Sequence, residues 1–151
     1  MKKVILILLF IPVFSFAQTK EVIVLVELSK NKNKSKEELK SFVKKYSDFV
    51  NSTEPNTLGW SYHDAGDKLI LIERYKNEDA NIVTAKNISP GGNRYILLQE
   101  SFEYYTLEKV TVMGGFTQKL IDFNTITATK VGFNAKFEYY PIISGYSKNL
   151  N

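Results

Sequence analysis

Glu73 has the clearest potential for chemistry, because its carboxylate stands inside an otherwise apolar run. Residues 68–75 read KLILIERY, and alternate residues of a strand share one face of the sheet. Glu73 therefore shares its face with Leu69, Leu71 and Tyr75. A buried carboxylate needs a hydrogen-bonding partner or a raised pKa, and either property suits proton transfer. We take Glu73 as a candidate catalytic residue and Tyr75 as a candidate substrate contact; a structural hydrogen bond to a neighbouring strand or loop is the alternative for Glu73.

The strand before it supplies a second group of candidates. Residues 58–63 (LGWSYH) place Trp60 and Tyr62 on one face and His63 on the other. Trp60 and Tyr62 are candidate substrate contacts that could stack on a ligand, or else ordinary core or interface residues. His63 is the only histidine, and its ordinary pKa suits a catalytic base near neutral pH. Its position beside a turn also fits a surface residue without a role.

A glycine-rich loop marks a third group. Asn87 and Arg94 flank the loop Ser89–Gly92 (SPGG). An arginine there could bind a carboxylate or phenolate oxygen, so both residues are candidate substrate contacts and the loop is a candidate pocket lip. The loop is not a phosphate-binding P-loop, because it lacks the spaced glycines and the Lys-Ser/Thr pair.

Composition excludes several kinds of site. The 151 residues include no cysteine and one histidine. The chain therefore cannot form a disulfide, a thiolate metal cluster or a cysteine nucleophile, and one subunit cannot build a histidine-rich zinc site. No carboxylate group has the spacing of a calcium loop. We predict no metal site, and we interpret the tyrosine pairs at 104–105 and 139–140 as aromatic packing.

The first 17 residues have the features of a secretory signal peptide. Two lysines precede an apolar run over residues 4–14, and small residues stand at Ser15 and Ala17, which are positions −3 and −1 of a cut after Ala17. The run is too short to span a bilayer as a helix, which takes about 20 residues. We expect an exported protein, periplasmic or secreted, with no stable membrane anchor after cleavage and with residues 18–151 as a single domain that ends in a C-terminal extension.

The basic charge of the chain is partly a property of that signal. The net charge of +4 falls to +2 without its two lysines. The remaining basic cluster, between Lys30 and Lys45, is interrupted by acids and is typical of a solvated helix face. Nucleic-acid binding normally needs a concentrated basic stripe. We therefore expect no nucleic-acid partner.

The order of predicted elements indicates the fold class. The pattern predicts strands at 21–28, 58–63, 68–75 and 104–113, and helices after Ser35, after Asn77, at about 93–102 and at about 117–123. The order strand, helix, strand, strand, helix, strand is typical of an α+β fold with a ferredoxin-like antiparallel sheet and helices on one face. Such a sheet leaves its other face uncovered. A second copy of the chain would cover it, so we predict a homodimer.

Several short motifs, in this order, resemble a known family. They are residues 54–58 (EPNTL), Trp60, the strand end 71–75 (LIERY) and residues 77–80 (NEDA). Gly114 after a strand and residues 145–148 (GYSK) resemble two later landmarks. Together they are similar to the antibiotic biosynthesis monooxygenase (ABM) domain family, over about residues 21–148. The resemblance implies a dimeric α+β barrel in which each subunit holds a ligand cavity between sheet and helices.

The resemblance also implies a kind of ligand. Some members of the family oxygenate aromatic phenols or anthrones with molecular oxygen, without metal or flavin, and related members degrade haem. It therefore implies a small apolar or aromatic ligand, a cofactor-independent monooxygenase and no cofactor. Two departures bear on activity: Thr84 stands where many relatives have a histidine, and residues 21–28 lack the asparagine that haem-degrading relatives use. These departures disfavour haem degradation and leave a non-catalytic ligand-binding or stress-related module as the alternative.

Overall fold

The computed structural model describes residues 20–145. The predicted signal peptide and the end of the 145–148 motif lie outside this range. The elements, in chain order, are β1 (Val22–Lys30), α1 (Lys36–Thr53), β2 (Thr57–Ala65), β3 (Lys68–Tyr75), α2 (Glu78–Asn87), α3 (Tyr95–Ser101), β4 (Tyr105–Gly114), α4 (Gln118–Val131) and β5 (Lys136–Pro141). In the described range no helix is both long and apolar enough to cross a membrane.

Local sequence explains where the first two helices begin. The Ser35 hydroxyl accepts a hydrogen bond from the Glu38 backbone N–H (3.2 Å), and the Glu38 carboxylate accepts one from the Ser35 N–H (2.8 Å). Asn77 accepts from the Ala80 N–H in the same way (2.9 Å). These bonds satisfy backbone donors that the first turn of a helix leaves without partners. The structure thus confirms both predicted helix starts.

The helix α4 is longer than the sequence predicted. The expected helix ended near Phe123, whereas the structure continues it to Val131. Its buried face includes the polar residues Asn124 and Thr127, which interrupt the apolar period that a sequence pattern relies on. Gly132 then ends the helix with a φ of 75°, a left-handed conformation that glycine adopts readily.

The five strands form one sheet in the order β2-β3-β1-β4-β5. The pairs β2–β3, β3–β1 and β1–β4 are antiparallel, which is the predicted ferredoxin-like arrangement. At one edge the structure differs from the expected antiparallel sheet, because β5 pairs with β4 in parallel. The helix α4 carries the chain back along the sheet before β5 begins, as a crossover between parallel strands requires.

Alternation along the strands gives the sheet two unlike faces. The inner face of β1, residues Val22, Val24, Val26 and Leu28, is at most 6% exposed and packs in one core with the apolar side of α1. The outer face carries half-buried apolar residues (Ile23, Leu25, Ile70 and Ile72) and ion pairs such as Lys68 with Glu27 at 3.2 Å. Helices therefore cover the inner face, whereas no element among residues 20–145 covers the outer face.

Candidate functional site

A cavity of about 130 Å³ lies between the inner face of the sheet and the helices. Aromatic rings and aliphatic side chains form most of its wall, as in small-molecule sites. The aromatic lining residues are Tyr46, Trp60, Tyr62, Tyr75, Phe102, Tyr105, Phe133 and Phe137. The polar lining residues are Glu73, Asn81, Thr84, Arg94, Ser101, Asn124 and Thr127. The cavity is thus an apolar chamber with a few polar groups at fixed places.

Arg94 is the charged residue among these and is almost fully buried, at 1% exposure, although Glu73 beside it also carries an ionisable group. Its guanidinium carbon lies 5.2 Å from the centre of the Trp60 ring and 5.6 Å from that of Tyr46. Such cation–π contacts stabilise a cation that is shielded from water. Nη2 donates to the Thr84 carbonyl (3.2 Å), but Nε and Nη1 have no hydrogen-bond partner among the residues that the structure describes. The site therefore holds a buried cation with donors to spare.

Glu54 supplies the nearest counter-charge to this cation. It is 5% exposed, and its carboxylate oxygen lies 3.7 Å from Arg94 Nη1. The Thr84 hydroxyl (3.2 Å) and the Asn87 amide (2.8 Å) both donate to the same carboxylate. Thr84 therefore anchors Glu54 and supplies no titratable group.

Glu73 is the second carboxylate of the site. The Tyr75 hydroxyl donates to Glu73 Oε2 at 2.5 Å. Burial of the carboxyl group raises the pKa of Glu73 to about 7, although the Tyr75 hydrogen bond and the Arg94 charge oppose the rise. A carboxyl group with this pKa is protonated in about half of the molecules at neutral pH. It can therefore take up or release a proton under ordinary conditions.

Polar atoms in the wall of the cavity lack partners. Besides the two Arg94 nitrogens, Asn81 Oδ1 is buried without a hydrogen bond. Trp60 Nε1 makes no hydrogen bond of ordinary geometry, and only a weak interaction joins it to the Tyr62 hydroxyl. Buried polar groups in native proteins are nearly always paired, so each exception needs an explanation. A ligand that carries polar atoms would supply the missing partners.

The structure brings five of the seven predicted site residues to this cavity: Trp60, Tyr62, Glu73, Tyr75 and Arg94. Asn87 does not line it and instead holds Glu54. His63 lies on the opposite face of β2, where it is exposed and within 2.9 Å of the Ser61 hydroxyl. Because neighbouring residues of a strand point to opposite faces, the strand that aims Trp60 and Tyr62 inward must aim His63 outward. His63 is therefore not a base for this cavity.

The sequence did not indicate a functional role for two residues of the site, Glu54 and Tyr46. Glu54 appeared only within the EPNTL motif, and Tyr46 is one of the buried residues of α1. Glu54 contacts Thr84 and Asn87 across 30 and 33 residues of sequence. Only the EPNTL motif could have indicated a role for Glu54, since a single carboxylate after a helix does not by itself predict a functional site.

The loop Ser89–Gly92 positions Arg94 and does not line the cavity itself. The Arg94 backbone N–H donates to the Asn87 carbonyl at 2.9 Å. A Cβ on Gly92 would lie 2.3 Å from that same carbonyl oxygen, so only glycine lets the backbone approach this closely.

We expect Gly92→Ala to displace this loop and Arg94 with it. The free energy of unfolding should fall by about 1 to 3 kcal/mol, as for other overpacked sites, and urea denaturation measures it. Gly59→Ala is a matched control, because a Cβ there makes an ordinary 3.5 Å contact with the Arg74 side chain. Equal stability of the two variants would contradict the tight approach at Gly92.

Within the described range, no three His, Cys, Asp or Glu side chains are grouped as metal ligands would be. The charged or ionisable groups at the site are instead the Arg94 guanidinium and the Glu73 carboxyl group in the cavity wall and the Glu54 carboxylate beside Arg94. Fold and cavity together therefore define an α+β domain with a mainly apolar pocket between sheet and helices.

Comparison with solved structures agrees with this class. MupZ from Pseudomonas fluorescens superposes with a TM-score of 0.60 at 14% sequence identity, over 86% of this chain and 96% of that one. A mutant of SnoaB, a cofactor-independent oxygenase from Streptomyces nogalater, superposes with a TM-score of 0.50 at 15% identity, over 65% of this chain and 92% of that one. No family model matches the sequence, and no curated protein is significantly similar to it. The likeness confirms the predicted α+β fold, and at this identity it shows the fold alone.

Proposed function

We propose that the cavity binds a small, single-ring aromatic molecule with an acidic hydroxyl group, and that the protein is a cofactor-independent monooxygenase. The observation that carries the proposal is the presence, in one apolar cavity, of a carboxyl group with a pKa of about 7 and a buried arginine with unpaired donors. The fold shared with SnoaB, itself a cofactor-independent oxygenase, supports the same activity.

The size of the cavity limits the ligand. Its volume of about 130 Å³ is close to that of an engineered apolar cavity of about 150 Å³ that binds benzene. One aromatic ring fits such a space, whereas a fused three-ring molecule would have to displace side chains. We therefore favour monocyclic phenols over anthrones.

The groups in the wall suit formation of a phenolate. In this proposal Glu73 accepts the hydroxyl proton, and Arg94 stabilises the negative oxygen through Nε and Nη1. The phenolate is electron-rich at its ring carbons, and one of them forms a bond to molecular oxygen. The resulting ring peroxide takes back the proton from Glu73, and this hydroperoxide loses water to give a quinone, so one oxygen atom enters the product and the other leaves as water.

An oxygen electrode tests the activity. The protein is mixed with hydroquinones and other monocyclic phenols, and oxygen uptake is compared with the buffer rate. The proposal predicts uptake above that rate, with one atom of isotopic oxygen in the quinone product. Failure of every phenol to exceed the buffer rate would refute the monooxygenase and leave binding to be tested separately.

Export is part of the proposal and rests on the N-terminal sequence. A basic start, an apolar run over residues 4–14 and small residues at Ser15 and Ala17 support cleavage after Ala17. Mass spectrometry of the protein from the periplasmic fraction or the medium tests it. A chain that begins at Gln18 is the expected product, and an uncleaved chain in the cytoplasm would contradict export.

We also propose a homodimer formed through the outer face of the sheet. The half-buried isoleucines Ile70 and Ile72 and their neighbours on β1 form an apolar strip that no element of the described chain covers. Light scattering should give twice the chain mass at micromolar concentration. Ile72→Lys should yield a monomer, whereas Ile126→Lys, at a 54% exposed position on α4, should not. A monomeric parent protein would contradict the dimer.

A further inference from the structure

A second concave site, distinct from the cavity, opens near the start of α1. It has a volume of about 970 Å³ and is lined by the segment between β1 and α1, the first turns of α1 and the β2–β3 hairpin. Five lysines surround it: Lys30, Lys32, Lys34, Lys36 and Lys40. We call this surface the lysine groove. The sequence pattern indicated a solvated helix face here, but folding gathers these lysines around one depression.

Ion pairs neutralise only part of this charge. Lys30 lies 2.5 Å from Asp64, and Lys34 lies 3.3 Å from Glu103. Lys36 reaches Asp64 only at 4.0 Å, and that carboxylate already pairs with Lys30. The side-chain ammonium groups of Lys32 and Lys40 make no ion pair or hydrogen bond with any of residues 20–145. Like charges brought together repel one another, so a bound anion would stabilise this arrangement.

The groove also has an apolar part. Leu39, Val43, Leu69 and Tyr62 line it together with the lysines. Tyr62 lines the buried cavity as well, so its side chain forms a wall common to both spaces. Leu39 and Leu69 are at most 9% exposed, so the half-buried Val43 and Tyr62 offer most of the apolar surface to a ligand. The lining matches a molecule with an apolar body and a negatively charged head.

We propose that the lysine groove binds a small amphipathic organic anion. The apolar body contacts Leu39, Val43 and Tyr62, and the anionic head lies among the unpaired ammonium groups of Lys32 and Lys40. This site is independent of the phenol chemistry proposed for the cavity. The groove and the cavity share the Tyr62 side chain, so an anionic chain on a cavity ligand would lie next to the groove.

Calorimetric titration with decanoate tests the proposal. Decanol is the uncharged control, and butyrate is the control with little apolar body. We expect one decanoate per chain at low salt, binding that is about tenfold weaker for decanol and butyrate, and affinity that falls as salt screens the lysines. Equal affinity for decanol would overturn the role of the charge, and binding of butyrate as tight as decanoate would overturn that of the apolar lining.

Matched variants locate the binding site. The double variant K32E/K40E should lose decanoate affinity at least tenfold. The double variant K76E/K130E makes the same charge change at two exposed lysines away from the groove and should retain it. Unchanged affinity in K32E/K40E would overturn the proposal. A second result would also overturn it: sedimentation of the protein with anionic phospholipid vesicles while decanoate does not bind. The lysines would then bind a membrane surface.

Discussion

Arg94→Ala is expected to lower the free energy of unfolding by about 3 to 5 kcal/mol, the usual range for breaking a buried ion pair from one side. The substitution leaves the Glu54 carboxylate, 5% exposed, without its cation. It also removes the guanidinium that lies against the Trp60 and Tyr46 rings. Urea denaturation of both proteins at neutral pH measures the difference.

Two further variants separate charge from packing. Lys119→Ala removes one side of an exposed pair with Asp79 (2.6 Å) and should cost no more than about 1 kcal/mol, as exposed pairs do. The double variant E54Q/R94M removes both buried charges and keeps most of the volume, so it should recover much of the stability that Arg94→Ala loses. If Arg94→Ala costs as little as Lys119→Ala, the buried cluster does not stabilise the fold.

Glu73→Gln is expected to lower kcat/KM for the phenol substrate by about 10²- to 10⁴-fold, the usual contribution of a general base. The amide cannot accept the substrate proton, but it has nearly the same shape. In the parent enzyme the rate should rise with pH through about 7, where the carboxyl group ionises. The variant should lack that rise. A pH–rate profile with an unchanged inflection near 7 in Glu73→Gln would assign the base to another group.

The same substitution should change stability in a pH-dependent way. The pKa of Glu73 is about 7 in the folded chain and near its ordinary value of 4.5 in the unfolded chain. The folded state therefore binds more protons between these two values, and stability falls as pH rises through this window. Glu73→Gln abolishes this loss, so at pH 8 it should be more stable than the parent by on the order of 3 kcal/mol.

Below about pH 4 both states of the parent are protonated at this position, and the two proteins should converge in stability. Glu37→Gln is the control, because Glu37 is exposed on α1. Its difference from the parent should stay small at every pH. A constant difference between Glu73→Gln and the parent from pH 4 to pH 8 would contradict a raised pKa for Glu73.

Simple periodicity predicted much of this site because strands have only two faces. The alternation along residues 58–63 placed Trp60 and Tyr62 on one face of their strand, and that along residues 68–75 placed Glu73 and Tyr75 on one face of the next. In the structure these four residues line one cavity. The same alternation placed His63 on the other face. The imidazole group made His63 a candidate base, but the alternation of side chains along β2 places it outside the cavity.

Contacts across long stretches of sequence could not be predicted in the same way. Glu54 is joined to Thr84, Asn87 and Arg94 only by folding, and no local pattern shows that a carboxylate after a helix becomes buried. Local rules also failed on α4, because buried polar residues interrupted its apolar period. The lysines around the groove are separated along the chain by acids and polar residues, so only the folded chain shows that they face one depression.

Fluorescence of Trp60 tests the central claim most directly, because Trp60 is the only tryptophan in the sequence and lines the cavity. The protein is titrated with phenol, with toluene as a ligand of similar shape without the hydroxyl group, and with a three-ring phenol. We predict a saturable change with phenol, a weaker one with toluene and none with the three-ring molecule, and loss of the preference for phenol over toluene in E54Q/R94M. No saturable change with phenol, or an equal response to phenol and toluene in the parent protein, would contradict a phenol site built around Arg94 and Glu73.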